Sequence, residues 1–179
     1  MIFRLIQSIM RLINTFTERV GSMVSWLTVA MVLVTALIVA LRYVFNQGWI
    51  AMQESVAYLH SLVFMLGAAY TLKNDAHVRV DIFYQRSNAA TRTWVDLLGF
   101  LFLLIPMCGC IIWASWDYTL ASWSVGEASR EAGGLPGLFL LKSLIPIMAI
   151  LLLLQGLAQA LRCILILSGR VSQPASNND

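Results

Sequence analysis

Four long stretches without a charged residue constrain this chain more than any other feature. They cover residues 20–41, 55–72, 97–116 and 143–161. About 20 helical residues cross a hydrocarbon core of roughly 30 Å, so each stretch is long enough to span a membrane. Continuous apolar runs favour helices over the short alternating strands of a barrel. We therefore predict an all-α integral membrane protein with four transmembrane helices in two hairpins, and with Pro106 and Pro146 inside the third and fourth spans.

The composition argues against a water-soluble class. Hydrophobic residues make up 59% of the chain and charged residues only 12%, and the mean hydropathy is +0.77. Soluble proteins carry roughly 25% charged residues. The net charge of +3 is too small an excess to indicate a nucleic-acid partner. Cys108, Cys110 and Cys163 all lie in apolar runs, so we interpret them as packing residues rather than metal ligands or disulfide partners.

The distribution of basic residues predicts the orientation of the chain. Nine of the twelve lysines and arginines fall on one side of the predicted spans. They are Arg4, Arg11, Arg19, Lys73, Arg79, Arg86, Arg92, Arg162 and Arg170. Cytoplasmic segments of membrane proteins carry an excess of such residues. We therefore expect both termini to be cytoplasmic, with each hairpin entering from the cytoplasm and returning to it.

The two ends of the chain differ in character from the spans. In residues 1–19, apolar side chains recur at steps of three and four, and arginine and amide side chains fill the other side. This pattern predicts an amphipathic helix in the cytoplasmic membrane interface. A secretory signal is the competing interpretation, but Arg11 interrupts its apolar stretch and no small-residue cleavage site follows. Residues 20–167 then form the transmembrane domain, and residues 168–179 are expected to be a disordered cytoplasmic tail.

The sequence offers few residues for redox or catalytic chemistry. Its two histidines, His60 and His77, are 17 residues apart, which is about 25 Å along a helix, so they cannot share one haem iron. The chain has no Ser-His-Asp set, no glycine-rich phosphate loop and no metal-ligand spacing. We therefore predict that it is not an enzyme and that it carries no cofactor.

Three charged residues fall near the extracytoplasmic ends of the spans. Arg42 ends the first span, Glu54 opens the second and Lys142 enters the fourth. Taken singly, such residues are commonly solvated at the level of the lipid headgroups. Because all three have similar depth, our hypothesis is a polar bridge in which Glu54 pairs with Arg42, Lys142 or both. The central parts of the spans hold no acid, lysine or arginine, which argues against a lone ion-coupled transporter.

Several short motifs follow one another in order along the chain. They are Arg42-Tyr43-Val44-Phe45-Asn46 with Trp49 and Glu54, Gly67-Ala68-Ala69 with Lys73 and Asp75, His77-Val78-Arg79-Val80-Asp81, and Gly133-Gly134-Leu135-Pro136. From about Val20 to Arg162 this ordered set resembles the small membrane subunit of tripartite ATP-independent periplasmic (TRAP) transporters, the DctQ-like family. Many relatives open the second span with two adjacent acids, whereas this chain has Gln53 before Glu54. A paired acid at this point is therefore not expected here.

The resemblance implies a transport complex of three components. In that family a periplasmic substrate-binding protein delivers its ligand to a large DctM-like permease, which holds the substrate and sodium sites. The small subunit braces the static part of the large one. For this chain the resemblance implies a place in the bacterial inner membrane and a role in the sodium-coupled uptake of an organic acid anion. A membrane anchor or assembly subunit of another complex, such as a respiratory enzyme, is the alternative, and a lone transporter comes third.

Two groups of residues are expected to contact the large permease or the lipid. Gly67 and Ala68 are small enough to let a helix of the large permease approach closely. In the cytoplasmic loop, three polar side chains are expected to contact either the edge of that subunit or anionic lipid headgroups. These side chains are His77, Arg79 and Asp81.

The extracytoplasmic loops are expected to form part of a docking surface for the loaded binding protein. The residues concerned lie in the loops of the two hairpins. They are Tyr43, Asn46, Trp49, Glu127, Arg130 and Glu131. The alternative is that these are solvated residues of ordinary loops.

Overall fold

The structure, a computed structural model, describes residues 2–77 and 88–169. Every regular element within those residues is helical. In chain order they are α1 (Ile2–Val44), α2 (Ile50–Lys73), α3 (Ala89–Gly99), a π-helix (Phe100–Leu104), α4 (Ile105–Ser124) and α5 (Leu138–Leu167). Four helical stretches are long and apolar enough to cross a membrane: Phe3–Val44, Ile50–Lys73, Ala90–Ser124 and Leu138–Leu167. The predicted all-α fold with four potential spans is confirmed.

Helix α5 is the centre of the molecule. It contacts α1 and α2 of the first hairpin and α3, the π-helix and α4 of the second. Its buried side chains include Leu144, Ala149 and Leu152, and Cys108 of α4 packs against the last two. The buried cysteines Cys108 and Cys163 therefore serve as small packing residues at helix contacts, and the three cysteines are free thiols.

Helix α1 is a single helix of 43 residues, about 65 Å long at 1.5 Å per residue. The boundary predicted at residue 19, between an interface helix and the first span, lies inside this helix, which continues through it without interruption. The predicted apolar face of residues 1–19 is divided: Ile6 and Ile13 are half-buried, whereas Leu5, Ile9, Leu12 and Phe16 are exposed. The placement of this segment in the membrane interface stays a prediction. Of the predicted tail, Ser168 and Gly169 form a turn after α5, and residues 170–179 lie outside the described residues.

The third span changes its helical register just before a proline. In the π-helix the backbone N–H of Ile105 donates to the carbonyl of Phe100, five residues earlier. Pro106 follows, and it has no N–H to donate while its ring crowds the carbonyl four residues before it. The side chains of Phe100 and Leu104 lie directly over Gly156 of α5, where a Cβ would overlap both. A glycine at this position is therefore what allows the two spans to approach so closely.

Candidate functional site

Glu54, near the start of α2, holds the loop between α4 and α5. The Ser129 hydroxyl donates to one carboxylate oxygen of Glu54, and the backbone N–H of Leu135 donates to the other at 2.7 Å. A backbone bond of 3.1 Å from Ser129 to the Leu135 carbonyl closes the loop on itself. Gly134 lies against this site, and a Cβ there would overlap Ser129 and come within 2.8 Å of Glu54 Oε2. We call Glu54, Ser129, Gly134 and Leu135 the carboxylate clamp.

A second set of contacts fixes the other half of the same loop. Lys142 donates to Glu127 at 2.5 Å and lies 3.9 Å from the centre of the Tyr118 ring. The hydrogen bond from Lys142 lowers the pKa of the Glu127 carboxyl below its usual value. Trp123 Nε1 donates to the Ser143 hydroxyl at 2.7 Å, which joins the end of α4 to the start of α5. The loop is therefore held by α2 through Glu54 and by α5 through Lys142, and the Trp123–Ser143 bond joins the two helices that flank it.

These contacts bear on the predicted bridge of Arg42, Glu54 and Lys142. Within the described residues, the polar partners of Glu54 are Ser129 and Leu135, and the ionic partner of Lys142 is Glu127. Arg42 lines a small recess of about 10 Å³ beside the α1–α2 loop. Direct pairing of Glu54 with Arg42 or Lys142 thus stays a prediction, and the structure gives Glu54 and Lys142 other partners.

The two predicted docking loops lie at the same end of the bundle, because Glu54 of α2 bonds the α4–α5 loop. Tyr43 and Trp49 are 82% and 60% exposed. Arg130 and Glu131 are also exposed, whereas Glu127 is half-buried and engaged with Lys142. Asn46 is exposed and adopts a left-handed backbone with φ of 54°, which reverses the chain between α1 and α2. Protein docking at this surface is a proposal that these exposures support.

A polar cluster at the opposite end joins α1, α2 and α5. Thr17 donates to Gln155 Oε1 at 2.8 Å, and Gln155 Nε2 donates to Asn14 Oδ1 at 3.1 Å. One turn further along α5, Gln159 donates to the backbone carbonyl of Leu72 at 2.7 Å. Gln155 is only 1% exposed. We call Asn14, Thr17, Gln155, Gln159 and the Leu72 carbonyl the glutamine cluster.

The glutamine cluster was not predicted from the sequence. The available signal was a pair of amides, Gln155 and Gln159, four residues apart in an otherwise apolar span. Such spacing puts both side chains on one helix face, and polar side chains within a span usually bond a neighbouring helix. Their partners were not visible in the sequence, because Asn14 and Thr17 are about 140 residues away along the chain.

One comparison with known proteins decides the family. The family model for the DctQ component of tripartite ATP-independent periplasmic transporters matches residues 31–165, well over half of the chain. This chain belongs to the DctQ family. No curated protein sequence matches it significantly. The resemblance found in the motifs is thus confirmed, and the chain is a multi-pass membrane component of a TRAP transporter, a family of transport components rather than of enzymes.

The remaining predicted contact residues of this DctQ chain have mixed positions. Gly67 faces Val24 of α1, and Ala68 packs against the buried cluster around Cys108, so the chain's own helices already use both small residues. His77 is exposed four residues after the end of α2, whereas Arg79 and Asp81 lie outside the described residues. Contact of these residues with the large permease stays a prediction.

Proposed function

We propose that this DctQ chain is the static small permease subunit that braces a large DctM-like permease during sodium-coupled uptake of an organic acid anion. The observation that carries the proposal is the position of its two sets of hydrogen bonds, one at each end of the bundle. The carboxylate clamp joins α2 to the α4–α5 loop at one end, and the glutamine cluster joins α1, α2 and α5 at the other. Interhelical hydrogen bonds at both ends oppose sliding of one helix past another. A subunit held in this way is better suited to the role of a scaffold than to that of a moving transport domain.

The proposed orientation puts the two polar ends on opposite sides of the bacterial inner membrane. Nine of the twelve basic residues favour the cytoplasm for both termini and for the loop after α2. The carboxylate clamp and the docking loops then face the periplasm, where a substrate-binding protein reaches them. On the cytoplasmic side, we expect His77, Arg79 and Asp81 to contact the edge of the large permease or the lipid headgroups.

Co-purification from the native cell tests the scaffold role. The tagged chain is extracted in mild detergent, and its stoichiometric partners are identified by mass spectrometry. We expect a large permease with many spans, and the purified pair should accumulate substrate in vesicles only with binding protein and an inward sodium gradient. Redox subunits as partners would instead support an anchor of a respiratory complex, and uptake by the chain alone would support a lone transporter.

A double alanine variant at Arg130 and Glu131 tests docking of the binding protein. Both side chains are exposed, so their removal should leave the carboxylate clamp intact. We expect half-maximal uptake to require more binding protein, with maximal uptake unchanged. Arg19→Ala, an exposed change at the other end of the subunit, is the control and should behave as the parent. Unaltered dependence on binding-protein concentration in the double variant would count against docking at this loop.

A further inference from the structure

An open cleft lies where α2 ends and α1 continues beyond it. It has a volume of about 480 Å³ and is lined by Gln7, Met10, Arg11, Asn14, Thr15, Glu18 and Lys73. A volume of this size is in the range of small-molecule sites. Lys73 is the last residue of α2, and it pairs with Glu18 of α1. The cleft therefore lies beside the part of α1 that extends beyond the end of α2. We call this cleft the notch.

The side chains around the notch offer mainly hydrogen-bond donors. Arg11 is exposed, and none of the contacts that the structure gives for residues 2–77 and 88–169 engages its guanidinium group. Asn14 accepts from Gln155 through Oδ1, so its Nδ2 donors are left for the cleft. Glu18 is the single carboxylate among the lining residues, and it forms a salt bridge with Lys73. A ligand rich in acceptor oxygens and negative charge fits this lining.

The level of the notch in the membrane indicates which kind of ligand it binds. Helix α2 has 24 residues, about 36 Å, and so spans a hydrocarbon core of roughly 30 Å with both ends near the headgroups. Its last residue, Lys73, lines the notch, which therefore lies at the level of lipid phosphates. Basic pockets between transmembrane helices on the cytoplasmic side are suited to anionic headgroups. We propose that this cleft binds the phosphate group of an anionic phospholipid, with Arg11 and Asn14 as its donors.

Lipid retention by the purified full-length chain tests the proposal. The protein is held in mixed micelles containing equal amounts of phosphatidylglycerol and phosphatidylcholine, and the lipids retained are counted by native mass spectrometry. The parent should retain phosphatidylglycerol preferentially. Arg11→Gln should lower this preference by about fivefold, the factor that corresponds to about 1 kcal/mol per basic residue at a membrane surface. Asn14→Asp, which keeps an acceptor for Gln155 but replaces the donors with a charge, should also lower it.

Arg19→Gln is the matched control, because it removes the same charge from an exposed site on the same helix outside the cleft. It should retain phosphatidylglycerol as the parent does. Equal losses in Arg11→Gln and Arg19→Gln would mean diffuse attraction of lipid and would overturn the proposal. Displacement of the lipid by millimolar inorganic phosphate would show a soluble-phosphate site, which also overturns it. Loss of the bound lipid when the large permease joins the subunit would assign the cleft to a protein contact instead.

Discussion

At the scale of single residues, Glu54 illustrates why a charge is kept at the edge of a span. Both of its carboxylate oxygens are occupied, one by a hydroxyl and one by a backbone N–H. A backbone donor in a loop next to the membrane needs a partner, since an unmet donor that is removed from water is costly. The carboxylate thus holds the loop through two hydrogen bonds, one of which satisfies the backbone N–H of Leu135.

Glu54→Gln tests this function of the carboxylate. A glutamine keeps one acceptor oxygen but presents an NH₂ group where the second donor now bonds. We expect the Tm of the detergent-solubilised chain to fall, and to fall further in Glu54→Ala. Asp117→Asn, which neutralises an exposed acid on α4, should leave the Tm unchanged. Equal Tm values for the parent and both Glu54 variants would show that the clamp does not stabilise the chain.

Gln155→Leu tests the glutamine cluster. The change removes the acceptor of Thr17 and the donor to Asn14 at a site that is 1% exposed. We expect a loss of about 1–2 kcal/mol in the free energy of unfolding, the upper range for interhelical hydrogen bonds in membrane proteins. The same substitution at exposed Gln53 is the control and should cost much less. Unfolding in mixed detergent with increasing dodecyl sulfate measures both.

The ion pair of Glu127 and Lys142 predicts a dependence of stability on pH. The pKa of Glu127 is lowered in the folded chain, mainly by its bond from Lys142. Its stabilising effect is therefore complete above the ordinary carboxyl pKa of 4.5 and is lost as the pH falls through the lower folded value. We expect the Tm of the parent to fall relative to that of Glu127→Gln as the pH is lowered from 6 to below 4.5. Glu131→Gln should follow the parent, and parallel Tm curves for the parent and Glu127→Gln would contradict the prediction.

At the scale of elements, the contact of the π-helix with α5 depends on one glycine. Gly156→Ala places a Cβ where the side chains of Phe100 and Leu104 now lie. We expect it to destabilise the chain by about 1–3 kcal/mol, as other overpacked cores do. Gly109→Ala is the control, since no atom lies within 4 Å of a Cβ built at Gly109. An equal and small effect of both changes on detergent unfolding would show that the third and fourth spans can separate at little cost.

The spans could be predicted from the sequence, but their exact ends and partners could not. Windows without charge located all four spans, whereas the third helical stretch extends to Ala90–Ser124 because helices also accept the charged residues Arg92 and Asp96. Likewise Arg19 does not end a helix, so α1 continues through it. Pro106 indicates a disturbance of the third span, but no local pattern shows that Phe100 and Leu104 of the π-helix pack against Gly156. Glu54 was singled out for its charge, but its partner Ser129 is 75 residues away and carries no mark in the sequence.

At the scale of the whole molecule, the orientation in the membrane is open to a direct test. In a chain whose three cysteines are replaced by alanine, we introduce Ala132→Cys in the α4–α5 loop or Ala76→Cys after α2. Both alanines are exposed. Because basic residues favour the cytoplasm for the segment after α2, a membrane-impermeant maleimide should label position 132 in spheroplasts and position 76 only after lysis. The opposite labelling pattern would mean that the chain has the reverse of the proposed orientation.

The central position of α5 has a consequence for how the chain is made. Within residues 2–77 and 88–169 it is the last α-helix in chain order, yet it supplies the partners of Thr17 on α1 and of the Leu72 carbonyl on α2. Until α5 enters the bilayer, Thr17 and the Leu72 carbonyl in the first hairpin lack the hydrogen-bond partners that α5 supplies. The first hairpin can therefore insert early but acquires its final form late. A chain that ends before residue 138 lacks these partners, so we expect its first hairpin to be less stably packed than in the finished subunit.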